Sequence, residues 1–111
     1  MTEEHYREIM VNNGFYVDKY QNTYLNENEL MAQMICNYNT TEKGIDYIAT
    51  IWDIQIENIK YKGRNNYIVT SKMEPINFKD EAEFEDKVVE MGKRYKEMKE
   101  EIKMMKIGEM F

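Results

Sequence analysis

Residues 80–106 read DEAEFEDKVVEMGKRYKEMKEEIKMMK. Phe84, Val88, Met91, Tyr95, Met98, Ile102 and Met105 follow one another at alternating steps of four and three residues. That is the heptad spacing of a helix laying one narrow apolar stripe against a partner. At about 1.5 Å per residue the helix is roughly 40 Å long, the diameter of a small domain. Such a rod either lies along a sheet with one end projecting or pairs with another helix. Its first half carries Asp80, Glu81, Glu83, Glu85 and Asp86, and its second half Lys93, Arg94, Lys96, Lys99 and Lys103. A helix dipole favours that order of charge. Gly108 is expected to stop the helix.

Working outward from this rod, residues 45–59 give the strongest strand signal. They are β-branched and aromatic, apolar on both faces through Trp52, then alternating as Ile54, Gln55, Ile56 and Glu57. Residues 60–66 make a hairpin tip with Gly63 as the permissive position, and residues 67–73 return as the partner strand. Glu74 and Pro75 are expected to end that strand, because proline lacks a ladder donor. Residues 26–38 are ambiguous: a second helix, with Leu30, Met31, Met34, Ile35 and Tyr38 on one face and Asn26–Glu29 resembling a capping box, is favoured over a strand with Leu30, Ala32, Met34, Cys36 and Tyr38 on one face, because the strand's other face would also be apolar at Met31 and Ile35. A polar turn at 39–44 follows. Residues 15–19 read as a strand followed by a loop, with Tyr16, Tyr20 and Tyr24 recurring at a step of four. Residues 2–13 read as a short first helix capped by Thr2 and stopped by Gly14.

The expected fold class is therefore α+β. A small antiparallel β-hairpin or sheet packs against the long C-terminal α-helix, about 80–106, with one or two short N-terminal helices. The 111 residues are expected to form one domain, large enough to bury a core without disulfides or metal.

Hydrophobic and aromatic fractions of 42% and 13% are those of a folded protein, and ten Met with nine Tyr favour adaptable contacts. The net charge of -6 repels phosphate backbones and favours basic protein surfaces as partners. Cys36 is the single cysteine, so no intrachain disulfide forms, which points to a reducing, cytoplasmic setting. Asn39-Thr40-Thr41 matches a glycosylation sequon that would matter only to a secreted chain. No apolar run approaches the length of a membrane span.

Three constellations carry possible function. The stripe Phe84, Val88, Met91, Tyr95, Met98, Ile102 and Met105 binds either the chain's own hairpin or a partner, most simply a second copy through the same helix. The tip residues Lys60, Tyr61, Lys62, Arg64 and Tyr67 are suited to gripping a phosphate or an acidic surface, or are simply solvated. The acids of the long helix either mimic nucleic-acid phosphates or serve the helix N-terminus. Catalytic and metal candidates are thin. His5 is the only histidine, Cys36 and Ser71 are the only nucleophiles of their types with His5 as their only base, and Asp53 and Glu57 read as ordinary surface acids. Neither a cofactor nor a metal is expected.

These features favour binding over catalysis, as a protein-binding inhibitor or regulator that occupies a target protein. The alternatives are a nucleic-acid-associated protein using the basic 60–67 hairpin and a small-molecule binder. In size and acidity the chain looks like the small accessory proteins that phages and other mobile elements make to occupy or inhibit host proteins. That likeness assigns no residues.

Overall fold

The computed structural model describes residues 1–25, 29–34 and 48–109. Its first helix, α1 (Glu3–Asn12), starts where Thr2 accepts the His5 amide through its hydroxyl, satisfying one of the orphan donors of a helix start. It ends at Gly14, whose φ of +87° suits a residue without a Cβ. There the Phe15 amide donates to the Met10 carbonyl and the Gly14 amide to the Val11 carbonyl, a Schellman closure.

A five-stranded antiparallel sheet follows, in spatial order β1-β2-β3-β4-β5. Its strands are β1 (Tyr16–Val17), β2 (Asn22–Tyr24), β3 (Leu30–Met34), β4 (Ala49–Asn58) and β5 (Tyr67–Phe78). The second helix, α2 (Glu81–Glu109), begins at Asp80, whose carboxylate accepts the amides of Ala82 and Glu83 at 2.7 and 3.1 Å. The architecture is thus α+β, with the sheet packed against a long C-terminal helix and an N-terminal helix.

Both helices lie on one face of the sheet. Tyr6 of α1 stacks on Phe84 of α2 with centroids 5.7 Å apart, and Phe84 meets Phe78 of β5 edge-on at 5.8 Å. The Tyr6 hydroxyl reaches the Thr23 hydroxyl of β2 at 2.8 Å. Around these contacts Met10, Met31, Ala32, Ala49, Ile51, Ile54, Val88 and Met91 are fully buried. Farther along, Tyr95 packs edge-on against Phe15 and donates to the Leu25 carbonyl at 3.0 Å.

Several expectations are corrected. Leu30–Met34 is a strand and not part of a helix. It pairs with β2 on one side and β4 on the other, so a ladder on both edges overrides local preference. The misreading has a local cause. Thr23 pairs with Ala32 but Tyr24 with Leu30, leaving Met31 as an extra residue, so Met31 and Ala32 are buried in succession. A bulge of this kind erases the two-residue alternation that marks a strand. Ile35, Cys36, Tyr38 and the 39–44 turn lie outside the described residues, as do 45–47.

The strand expected over 15–19 is confined to Tyr16–Val17, and the loop after it contains β2. Tyr16 and Tyr20 are exposed and Tyr24 half-buried, so their four-residue spacing is no helical face. Pro75 does not end the return strand, which runs on to Phe78 with Pro75 opposite Trp52. Since β5 is the edge of the sheet, proline is tolerated there. Gly108 does not stop α2, which continues to Glu109. A glycine permits a left-handed exit without imposing one.

The close approach of the two helices explains Gly92. A Cβ at Gly92 would lie 2.9 Å from the Asn13 carbonyl oxygen at the end of α1, so the glycine lets α1 close against α2. Gly92→Ala should therefore lower the melting temperature, despite a helix-propensity gain of about 1 kcal/mol, and Gly92→Val should lower it further. Thermal unfolding followed by circular dichroism checks the order; an alanine variant more stable than wild type would show that α1 is free to move.

Candidate functional site

The α2 stripe divides along its length. Phe84, Val88 and Met91 are fully buried against the chain's own α1 and sheet, and Ile102 is nearly so. Tyr95, Met98 and Met105 are half-buried. The first three turns of the stripe thus serve the internal core, where a partner helix has no access. The exposed apolar residues of the distal helix are Met104 and Ile107, 67% and 50% exposed, which do not belong to the stripe.

Beside the stripe the structure brings together charges that the sequence left apart. The β4–β5 register shifts between Trp52 and Ile54, with Trp52 opposite Pro75 but Ile54 opposite Ser71. Asp53 falls at that irregularity, and bulges commonly re-aim a side chain. Its carboxylate accepts from Lys87 at 3.3 Å and Arg94 at 3.0 Å, both on α2. Arg94 also donates to the Ile54 carbonyl at 3.2 Å and to Glu90 at 3.2 Å. With its side chain 16% exposed, Asp53 is an internal pin joining sheet to helix and not the ordinary surface acid expected. The available signal was the seven-residue spacing of Lys87 and Arg94, two turns apart on one helix face. Burial pushes the Asp53 carboxyl up, but the Ile54 amide and the charges of Lys87 and Arg94 outweigh it and hold the group below its usual value.

The hairpin tip is a narrow turn. Tyr61 and Arg64 exchange backbone hydrogen bonds at 3.1 and 3.0 Å, and Lys62 and Gly63 have φ of +52° and +77°. Positive φ at both central residues matches the twist of a hairpin. Lys60, Tyr61, Lys62 and Arg64 are exposed, whereas Tyr67 is half-buried against the core. The Lys62 ammonium sits 5.3 Å from the centroid of the Tyr61 ring. Below the tip, Asn58 donates to the Asn65 side chain at 3.1 Å and accepts the Asn66 amide at 3.1 Å.

Of the catalytic candidates within the described residues, His5 and Ser71 are bonded to different partners. The His5 ring pairs with Glu81, tying the starts of the two helices together. The Ser71 hydroxyl donates to Glu29 at 2.7 Å, and the Ser71 amide to the same oxygen at 2.9 Å. Cys36 lies outside the described residues. Among the described residues no group of three or more His, Cys, Asp or Glu is placed to hold a metal ion. A surface depression along α1, lined by Glu4, Arg7, Glu8, Val11 and Asn12, is open to solvent. Its Arg7 is already bonded to the Val17 and Asp18 carbonyls. No helix among the described residues is long and apolar enough to cross a membrane. The chain matches no protein-family model, no curated protein and no solved structure.

Removing the pin tests its weight. Asp53→Asn leaves the half-buried Lys87 and Arg94 with only the more exposed Glu90 carboxylate and should cost about 1–3 kcal/mol at neutral pH. A carboxyl whose folded pKa is lowered binds fewer protons folded than unfolded. Its stabilisation is full above the ordinary value near about pH 4 and is lost as pH falls through the lowered one. Asp18 is shifted the same way: burial raises it, but the amides of Asn22 and Tyr20 and the Asn22 side chain lower it further. Chemical denaturation between neutral and acid pH should therefore show a shallower loss of stability in Asp53→Asn than in wild type. Parallel curves would mean that the ion pairs do not form in solution.

Proposed function

We propose that the protein is a binding module that acts by occupying the surface of another protein, as an inhibitor or regulator. The supporting observation is that exposed apolar side chains occur both on the last turns of α2 and on the hairpin toward which α2 runs. α2 starts beside Phe78, reaches Asp53 and Ile54 at Arg94, and so runs toward the hairpin tip. At that shared end Met104, Ile107, Ile59 and Tyr61 are 67%, 50%, 44% and 66% exposed. Single exposed apolar residues are ordinary, whereas several toward one end are what a partner-binding surface requires. Tyr and Met are also residue types enriched at interface centres.

In this reading the stripe residues Phe84, Val88 and Met91 support the surface from inside. Contact with the partner falls on the distal helix, beside Met98, Ile102 and Met105, and on the hairpin. A second copy of the chain is one candidate partner, and a heterologous protein the other.

The deciding experiment is affinity capture with the tagged chain, with and without nuclease, compared with Met104→Glu/Ile107→Glu. These exposed substitutions should change stability by less than about 1 kcal/mol. They should reduce binding by about 30-fold or more if they strike an interface centre. The expected result is a protein held at fixed stoichiometry by wild type in both samples and lost by the variant, with light scattering reporting whether that protein is a second copy. Retention that disappears with nuclease would put nucleic acid in its place.

A further inference from the structure

We infer that the hairpin tip is a preformed cationic finger that grips an acidic segment of the partner protein; this rests on the protein-binding reading above. Charge is unevenly distributed along the 57 × 26 × 23 Å molecule. Glu3, Glu4 and Glu8 of α1 and Asp80, Glu81, Glu83, Glu85 and Asp86 at the start of α2 gather at one end. Lys60, Lys62 and Arg64 stand at the other, and none of them has an acidic partner among the described residues. An acidic body carrying a cationic tip orients that tip toward anionic surfaces.

The finger is stiff before it binds anything. Its turn is closed by the paired Tyr61–Arg64 bonds, and its base by the Asn58, Asn65 and Asn66 bonds. A rigid element gives up little conformational entropy on binding. The apex residue is the telling one. Lys62 occupies a left-handed conformation, φ +52°, where Gly or Asn is the less costly residue. An ammonium stands where turn chemistry favours another side chain, and such departures from local preference cluster at functional positions.

A carboxylate-rich peptide fits this finger better than a nucleic acid does. The Lys62 ammonium already lies against the Tyr61 ring, which competes with base stacking. The chain's net charge of -6 opposes a long phosphate backbone running past the tip more than a short acidic segment meeting it.

The test is an amide-resolved NMR titration of the whole chain with a polyglutamate peptide, and separately with oligothymidylate, at about 50 and 300 mM salt. The expected result is peptide-induced shifts confined to residues 59–67, with affinity about tenfold or more weaker at the higher salt. Lys62→Asn keeps a residue tolerant of the left-handed conformation. It should leave the melting temperature unchanged or raised while weakening the peptide about threefold, and Lys60→Gln/Arg64→Gln should weaken it further. Peptide shifts elsewhere, or none, would overturn the inference, as would tip shifts produced only by oligothymidylate. The two proposals fail separately: capture lost in Met104→Glu/Ile107→Glu supports protein binding even if polyglutamate leaves the tip untouched.

Discussion

The structure depends on removing one helical stripe from water. Phe84, Val88 and Met91 are sealed, and each such side chain contributes on the order of 1.5–3 kcal/mol when fully buried. They need a floor and a wall. The floor is the sheet through Ile51, Ala49 and Phe78, and the wall is α1 through Tyr6, Ile9 and Met10. Gly92 sets how near that wall can come. Polar contacts then fix the assembly in one arrangement, since Asp53 accepts from two turns of α2 and Tyr6 can bond only where Thr23 stands. Apolar burial supplies most of the driving force, while these directional contacts exclude neighbouring registers of helix on sheet.

How much of this was legible depends on whether the signal was local. Thr2, Gly14 and Asp80 mark helix ends by chemistry that acts within a few residues, so the starts of both helices are legible in the sequence. The alternation of Ile54, Gln55, Ile56 and Glu57 likewise announced β4. What the sequence hid was set by distant chain. β3 is a strand because β2 and β4 supply ladders on both sides, and its bulge at Met31 removed the alternation that would have shown it. Pro75 was tolerable only because β5 is an edge, which follows from strand order and not from composition. The division of the α2 stripe into a sealed half and a half-covered half was invisible for the same reason. The heptad spacing is identical throughout, yet Tyr95, Met98 and Met105 are only half-buried while Ile102 between them is nearly sealed, a difference set by what lies opposite each turn.

The candidate interaction surface was partly legible. The tip cations could be read from Lys60, Lys62 and Arg64, but their company could not. The direction of α2 relative to β4 brings Met104 and Ile107 to the hairpin end, and no spacing in the sequence states that direction. Conversely, Lys87 and Arg94 belonged among the available surface charges until the bulge turned Asp53 toward them. A net charge of -6 also conceals a bipolar arrangement, with acids gathered where the helices start and, where the hairpin turns, cations with no acidic partner among the described residues.

The methionines carry a further consequence. Met10, Met31 and Met91 are fully buried, whereas Met73 is 95% exposed and Met104 67%. Oxidation to the sulfoxide turns a flexible apolar thioether into a polar group, which a surface accommodates and a core does not. An oxidant therefore meets Met73 and Met104 long before it reaches the interior. A sulfoxide at Met10, Met31 or Met91 would set a polar group in the apolar core and shift the balance toward the opened chain, so a transient opening would leave a lasting chemical mark.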